Sequence, residues 1–176
     1  MKPRSRLLIL DANIVIYLHE IGAWSAFMER YEIHLSRTVA EIEVKFFRSG
    51  EDLPPIDLIP DIDAGRIRVV DIPKAEVTHF LQRFDSLYLA DLHAGESESL
   101  AYLTAVTEDF RICSADKIVF KVLPHLGCAE QGTSLEELLR EAGLGRRLPH
   151  LYTQDFRVRW TQAGQQDAVT GLGRPR

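Results

Sequence analysis

Short segments with the hydrophobic pattern of β-strands recur along the chain. Leu7–Leu10 is apolar at every position, which is typical of a strand buried on both faces of a parallel sheet. Residues 32–35 and 66–72 alternate polar and apolar side chains, and residues 110–113 form another apolar run. We therefore predict strands at these four places and a last short strand near residues 127–130.

Between these strands, apolar residues recur every three or four positions, as they do on one face of a helix. Val39, Ile42 and Phe46 show this spacing, whereas residues 49–64 contain three prolines and are predicted to be a loop. The predicted helices are residues 13–20, 24–31, 38–48, 74–84, 95–106, 116–123 and 134–142. Strands that alternate with helices predict the α/β class, here a three-layer α/β/α fold with a mainly parallel central sheet of four or five strands.

Composition and charge bear on domain organisation. The length of 176 residues favours one folded unit, and 45% hydrophobic with 27% charged residues is an ordinary globular balance. We predict a folded domain over residues 1–145 and a basic, partly flexible extension over residues 146–176, loose from residue 164 onward. Residues 143–176 hold six arginines against two aspartates. The net charge of −5 argues against nucleic-acid binding through overall charge, although a local basic surface stays possible.

Membrane and disulfide-rich classes are not expected. No apolar stretch approaches the roughly 18 residues that a membrane-spanning helix needs. Cys113 and Cys128 are the only cysteines, and their number and spacing make neither a disulfide framework nor a zinc site. A reducing cytoplasm is the expected location.

Two aspartates stand where predicted strands end. Asp11 follows the first strand, and Asp116 follows the fourth in Ser114-Ala115-Asp116. Ligands of open α/β sheets bind beside the carboxyl ends of the strands, so each aspartate is a candidate ligand. Each is equally suited to capping the helix that follows it, which is a purely structural role.

Two pairs of glutamates stand near other junctions. Glu41 and Glu43 begin the helix after the second strand, where they point roughly 200° apart around the helix axis. Thr38 and Glu41 also match a capping box, a structural alternative. Glu96 and Glu98 lie in the first turns of a later helix, where the helix dipole alone favours acids. We prefer Glu41 and Glu96 as site residues, with Glu43 and Glu98 as the alternatives.

Parallel strands would bring these junctions to one edge of the sheet. Neighbouring carboxylates repel one another and raise some of their pKa values, so such a cluster is costly unless a cation shares it. Carboxylate oxygens suit Mg²⁺ or Mn²⁺. The predicted ligands are Asp11, Glu41, Glu96 and Asp116. Asn13 and Ser114 are expected beside them or against phosphate, and His93 is the one histidine expected nearby.

Five short motifs, in order, resemble those of PIN domains. LLILDAN at residues 7–13 resembles the opening strand and first acid of that family, and TVAEI at 38–42 is similar to the setting of its second acid. AGESE at 94–98 and SAD at 114–116 resemble the third and fourth. GTSL at 132–135 is similar to a late motif of bacterial and archaeal members. The resemblance covers about residues 6–145 and is closest to prokaryotic PIN proteins that include VapC-type toxins.

The PIN resemblance implies a function. It implies a PIN-like nuclease domain with a Mg²⁺- or Mn²⁺-dependent endoribonuclease activity, commonly in a homodimer. In toxin–antitoxin members, a small antitoxin protein inhibits the enzyme and structured cellular RNA is the target. The alternative is a catalytically inactive PIN-like module that binds RNA or protein. A P-loop NTPase is excluded because the chain has no glycine-rich loop ending in Gly-Lys-Ser or Gly-Lys-Thr.

The C-terminal extension supplies the candidate RNA contacts. Arginines there would bind phosphate, and an indole would stack on an unpaired base. The candidates are Arg146, Arg147, Arg157, Arg159 and Trp160. Packing of this segment against the rest of the protein explains the same residues without any RNA.

Overall fold

A computed structural model describes residues 6–175, so residues 1–5 and 176, which the predicted domain bounds include, lie outside the described residues. The strands of the described chain are β1 (Leu7–Leu10), β2 (Glu32–Ser36), β3 (Ile67–Val70), β4 (Arg111–Cys113) and β5 (Gly132–Thr133). They form one sheet in the order β3-β2-β1-β4-β5, and every neighbouring pair is parallel. The predicted parallel sheet is confirmed.

Helices connect the strands and cover both faces of the sheet. Their bounds are α1 (Ala12–Glu20), α2 (Trp24–Met28), α3 (Ile59–Asp63), α4 (Lys74–Leu81), α5 (Ser86–Leu89), α6 (Ala94–Ala105), α7 (Lys117–Val122), α8 (Leu135–Glu141) and α9 (Gln154–Thr170). The predicted three-layer α/β/α class is therefore confirmed. None of the helices in residues 6–175 combines the length and apolar character needed to cross a bilayer.

The central strand explains the two cores. Leu8, Ile9 and Leu10 of β1 are fully buried, and alternate side chains point to opposite faces of the sheet. Leu8 and Leu10 pack with α1, α2 and α8 on one face. Ile9 packs with α4, α6 and α7 on the other. An all-apolar sequence is what a strand covered on both faces requires.

The segment after β2 departs from the predicted helix over residues 38–48. Only one π-helical turn forms there, Val39–Glu43, and the chain then becomes extended. It reverses direction near Gly50, whose φ of +63° favours glycine, and Phe46 pairs with Pro55 in an antiparallel bridge. The predicted last strand forms two residues beyond the predicted range, as β5, because a 3₁₀ turn occupies Ala129–Gln131.

The C-terminal extension is more regular than predicted. Helix α9 has 17 residues and ends at Thr170, and the next residue, Gly171, adopts the left-handed conformation of a C-terminal cap. Helix α9 packs closely on α7, since a Cβ atom at Gly164 would lie 2.7 Å from Lys121 Cα. The expectation of a loose chain from residue 164 is therefore wrong, because helix continues to Thr170.

Candidate metal centre

Asp11 lies at the carboxyl end of the central strand and caps α1. Its Oδ1 accepts a hydrogen bond from the backbone N–H of Ala12 at 2.7 Å, and its Oδ2 accepts one from the hydroxyl of Ser114 at 2.9 Å. The Asp11 backbone N–H donates to the carbonyl of Cys113 in the neighbouring strand β4. The residue is only 5% exposed, so its carboxylate is held rigidly at the sheet edge.

Asp116 is brought to the same edge by the parallel pairing of β1 and β4. It caps α7, with Oδ1 accepting from the backbone N–H of Ile118 at 3.1 Å. Its own backbone N–H donates to the hydroxyl oxygen of Ser114 at 2.9 Å. Ser114 therefore links the two aspartates, since the same hydroxyl donates to Asp11. Both capping roles coexist with a shared position at one edge.

Glu96 reaches this edge from the first turn of α6. It is 8% exposed, and its Oε2 is buried without a hydrogen-bond partner among the described residues. One potential ligand atom from each of His93, Glu96 and Asp116 lies within 4.8 Å of the other two. A buried carboxylate oxygen with no donor is uncommon in folded proteins, and a cation would satisfy it.

The structure brings Glu43, rather than Glu41, to the acidic edge. Glu41 is about half exposed and forms an ion pair with Arg37 on the surface. Glu43 ends the π-helical turn and is packed against Gly95, where an added Cβ atom would lie 2.8 Å from its Oε1. The preference for Glu41 is thus wrong. Two residues of one turn point in different directions around its axis, and the Glu43 side chain points inward.

Glu98 and Thr38 have a structural role. The carboxylate of Glu98 accepts hydrogen bonds from the Thr38 backbone N–H at 3.1 Å and from its hydroxyl at 2.7 Å. The predicted capping box between Thr38 and Glu41 does not form, because the Thr38 side chain caps no helix. Glu98 instead joins α6 to the turn that carries Glu43.

Asn13, which was expected beside the ligands or against phosphate, is exposed in the first turn of α1.

The electrostatics of the cluster follow from burial and like charge. Burial, assisted by the charge of Glu96, raises the pKa of Asp11 from 3.8 to about 6, against the lowering effect of Ser114. Burial also raises the pKa of Glu43, with a contribution from Asp11. The pKa of Glu96 is raised by burial and then by Asp116 and Glu43. Burial and like charge therefore oppose the ionisation of Asp11, Glu43 and Glu96, which a divalent cation would reverse.

Two of the five predicted RNA contacts in the extension form hydrogen bonds within the protein. The Arg157 guanidinium forms two hydrogen bonds to the buried carboxylate of Glu137, at 2.7 and 3.0 Å. Arg146 donates to the backbone carbonyl of Ile21 at 3.1 Å. Arg147 is exposed. The packing alternative therefore holds for Arg157.

Trp160 and Arg159 are placed differently. The indole of Trp160 lies 5.8 Å from the ammonium of Lys117 and 5.3 Å from the guanidinium carbon of Arg159, measured to the ring centroid. Lys117 directly follows Asp116, so this cationic and aromatic surface borders the acidic edge. The sequence motifs did not single out Lys117, because its proximity to Trp160 arises only when α9 packs on α7.

The donor set fits a divalent cation. Glu96 and Asp116 provide carboxylate oxygens, the ligands that Mg²⁺ and Mn²⁺ prefer, and His93 adds one imidazole. Asp11 and Glu43 bear on the same cluster through their charges. The sequence placed His93 near the centre without giving it a role. No protein-family model, curated protein or solved structure matches this chain.

Proposed function

We propose that the protein is a metal-dependent endoribonuclease of the PIN-domain type, with Mg²⁺ or Mn²⁺ held by Asp11, Glu43, Glu96 and Asp116. The main support is the convergence of these carboxylates at one sheet edge, where Glu96 keeps a buried oxygen without a partner. The PIN resemblance of the surrounding motifs adds the reaction class. Toxin activity, an antitoxin partner and homodimerisation stay predictions from that resemblance.

Some residues of the centre would hold the cation, and others would orient the side chains that hold it. A bound divalent cation supplies an acidified water and offsets the charge that builds on phosphate. Ser114 fixes the separation of Asp11 and Asp116 through its two hydrogen bonds. The Glu96 oxygen that lacks a donor would bind the cation. Glu43 lies against Gly95, from where its charge acts on Glu96.

The RNA strand would lie along the surface beside Asp116. Arg159 and Lys117 are proposed to contact phosphate, and the Trp160 ring is proposed to stack on an unpaired base. The Lys117 ammonium lies 3.7 Å from the carboxylate of Asp91, but this ion pair is half exposed, so phosphate can replace it. Such contacts are local and do not need a net positive charge on the whole chain. Arg157 is left out of this surface, because Glu137 already occupies its guanidinium.

A matched pair of glutamate variants tests the proposed activity. Glu43→Gln removes a carboxylate from the centre, and Glu41→Gln removes one from the exposed surface two residues away. We expect cleavage of single-stranded RNA with Mn²⁺ or Mg²⁺ to fall about 100-fold or more in Glu43→Gln, by analogy with groups that support a metal. Glu41→Gln should stay within about twofold of the parent, because exposed ion pairs contribute little.

Two outcomes would count against the nuclease. Equal rates for Glu43→Gln and the parent would exclude Glu43 from the reaction. A protein that binds Mn²⁺ by calorimetry and binds RNA, but leaves the RNA intact, would be the catalytically inactive binding module.

A further inference from the structure

We infer that His93 is a ligand of the metal centre, and that its imidazole makes the centre favour Mn²⁺ over Mg²⁺. This inference rests on the metal-binding half of the proposed function and does not require RNA cleavage. Among the described residues, His93 is the one histidine that comes together with the acids, and no cysteine does.

The first support is the position of the imidazole. His93 caps the N-terminus of α6 with an extended backbone, φ −85° and ψ 175°, one helical turn before Glu96. Its Nδ1 lies 3.8 Å from Oε2 of Glu96. Two donors that each bind one cation at about 2.1 Å are roughly 3 to 4.2 Å apart, depending on the angle between them. The observed separation falls within that range.

The second support is independent of His93 and comes from Glu96. This side chain is more than nine-tenths buried, yet its Oε2 has no hydrogen-bond partner in the described chain. The distance of 3.8 Å to His93 is too long for a hydrogen bond, so the pair does not satisfy itself. A cation between Nδ1 and Oε2 would complete both groups.

The third support is Asp116, the remaining member of the group formed with His93 and Glu96. A carboxylate oxygen of Asp116 lies within 4.8 Å of the ligand atoms of both His93 and Glu96. Asp116 is held by two hydrogen bonds, from its backbone N–H to Ser114 and from Ile118 to its Oδ1. One side of the centre is therefore built before any cation arrives. The His93 side chain is 70% exposed, which leaves the solvent side open for metal entry.

The imidazole nitrogen determines which cation the centre prefers. Mg²⁺ takes oxygen ligands almost exclusively and keeps much of its water. First-row transition metals accept imidazole nitrogen readily, and the order of affinity rises from Mn²⁺ upward. A centre with three or four carboxylates and one imidazole should therefore bind Mn²⁺ more tightly than an all-oxygen centre would, and Mg²⁺ should gain little from His93.

Calorimetry of the full chain with MnCl₂ and with MgCl₂, after removal of metal, measures this preference. We expect His93→Gln to weaken Mn²⁺ binding about 10-fold and to change Mg²⁺ binding by no more than about twofold, the lower end for groups that tune a site. His79→Gln is the matched control, because His79 lies in α4 beside Ala105, at the other end of α6 from the centre. Its affinities should equal those of the parent.

Pulsed electron paramagnetic resonance of bound Mn²⁺ gives a second readout that a merely structural histidine would not change. A ¹⁴N coupling should be present in the parent and in His79→Gln, and absent from His93→Gln. Mn²⁺ bound without that coupling, or an unchanged ratio of Mn²⁺ to Mg²⁺ affinity in His93→Gln, would overturn the inference alone. If the parent binds neither metal, the metal half of the proposed function fails with it.

Discussion

Replacement of Asp11 by asparagine should make the metal-free protein more stable at neutral pH. The pKa of Asp11 is raised from 3.8 to about 6 by burial and by the charge of Glu96. The folded protein therefore holds this proton more tightly than the unfolded chain does. The stability that this contributes is full below pH 3.8 and is lost as the pH rises through about 6.

The magnitude follows from the difference in pKa. A pKa that is about 2 higher in the folded state corresponds to about 3 kcal/mol of destabilisation at pH 7.5, where the carboxylate is ionised in both states. At pH 4.5 the same difference in pKa destabilises the folded protein by about 1 kcal/mol. Asparagine keeps one oxygen, so it can accept from Ala12 or Ser114 but not from both, which costs about 1 kcal/mol. The net gain is about 2 kcal/mol at pH 7.5 and close to zero at pH 4.5.

Urea denaturation in EDTA at the two pH values measures these differences. At pH 7.5 the gain would raise the melting temperature by about 4–8 °C for a chain of this size. MnCl₂ should then reverse the ranking, because only the parent keeps the full set of carboxylates. Glu41→Gln, with its exposed carboxylate, is the control for loss of one negative charge. An Asp11→Asn variant equally destabilised at both pH values would refute the view that ionisation of Asp11 is costly in this cluster.

Two glycine substitutions test the packing around the centre and the extension. Gly95→Ala should push the Glu43 carboxylate aside and weaken Mn²⁺ binding about 10-fold by calorimetry, while the free energy of unfolding does not fall. Unchanged affinity would show that Glu43 is not held by this contact. Gly164→Ala should destabilise the protein by about 1–3 kcal/mol in urea denaturation, because the new methyl group would meet the backbone of Lys121. Gly145→Ala is its control, since the nearest atom there lies at an ordinary 3.8 Å, and equal stabilities of the two variants would contradict close packing of α7 and α9.

The local pattern of hydrophobic residues was sufficient to predict most strands of the sheet. The apolar run of β1 could be assigned because a strand covered on both faces needs no polar side chain, whatever its neighbours are. The positions of Asp11 and Asp116 followed from the same logic. Each directly follows a strand, and parallel strands end at the same edge. Their shared hydrogen-bond link through Ser114 follows from the structure, in which β1 and β4 are neighbours in the sheet.

The sequence pattern could not predict whether Glu41 or Glu43 points toward the centre. Helical periodicity assumes 3.6 residues per turn, and the segment forms a π-helical turn instead. One contact that separates them is distant, since Gly95, about 50 residues away, leaves room for the Glu43 carboxylate. The other is local, since Arg37 attracts the carboxylate of Glu41 four residues later. The distant contact leaves no periodic signal in the sequence.

The sequence by itself determined the α/β class, the apolar strands and the acids at the strand ends, because these depend on spacing along the chain. Tertiary structure alone decided which glutamate faces the centre, that Asp116 comes together with His93 and Glu96, and that α9 packs on α7 instead of remaining loose. Those features depend on charge pairing and close packing between residues far apart in sequence. Such contacts exist only after the chain has folded.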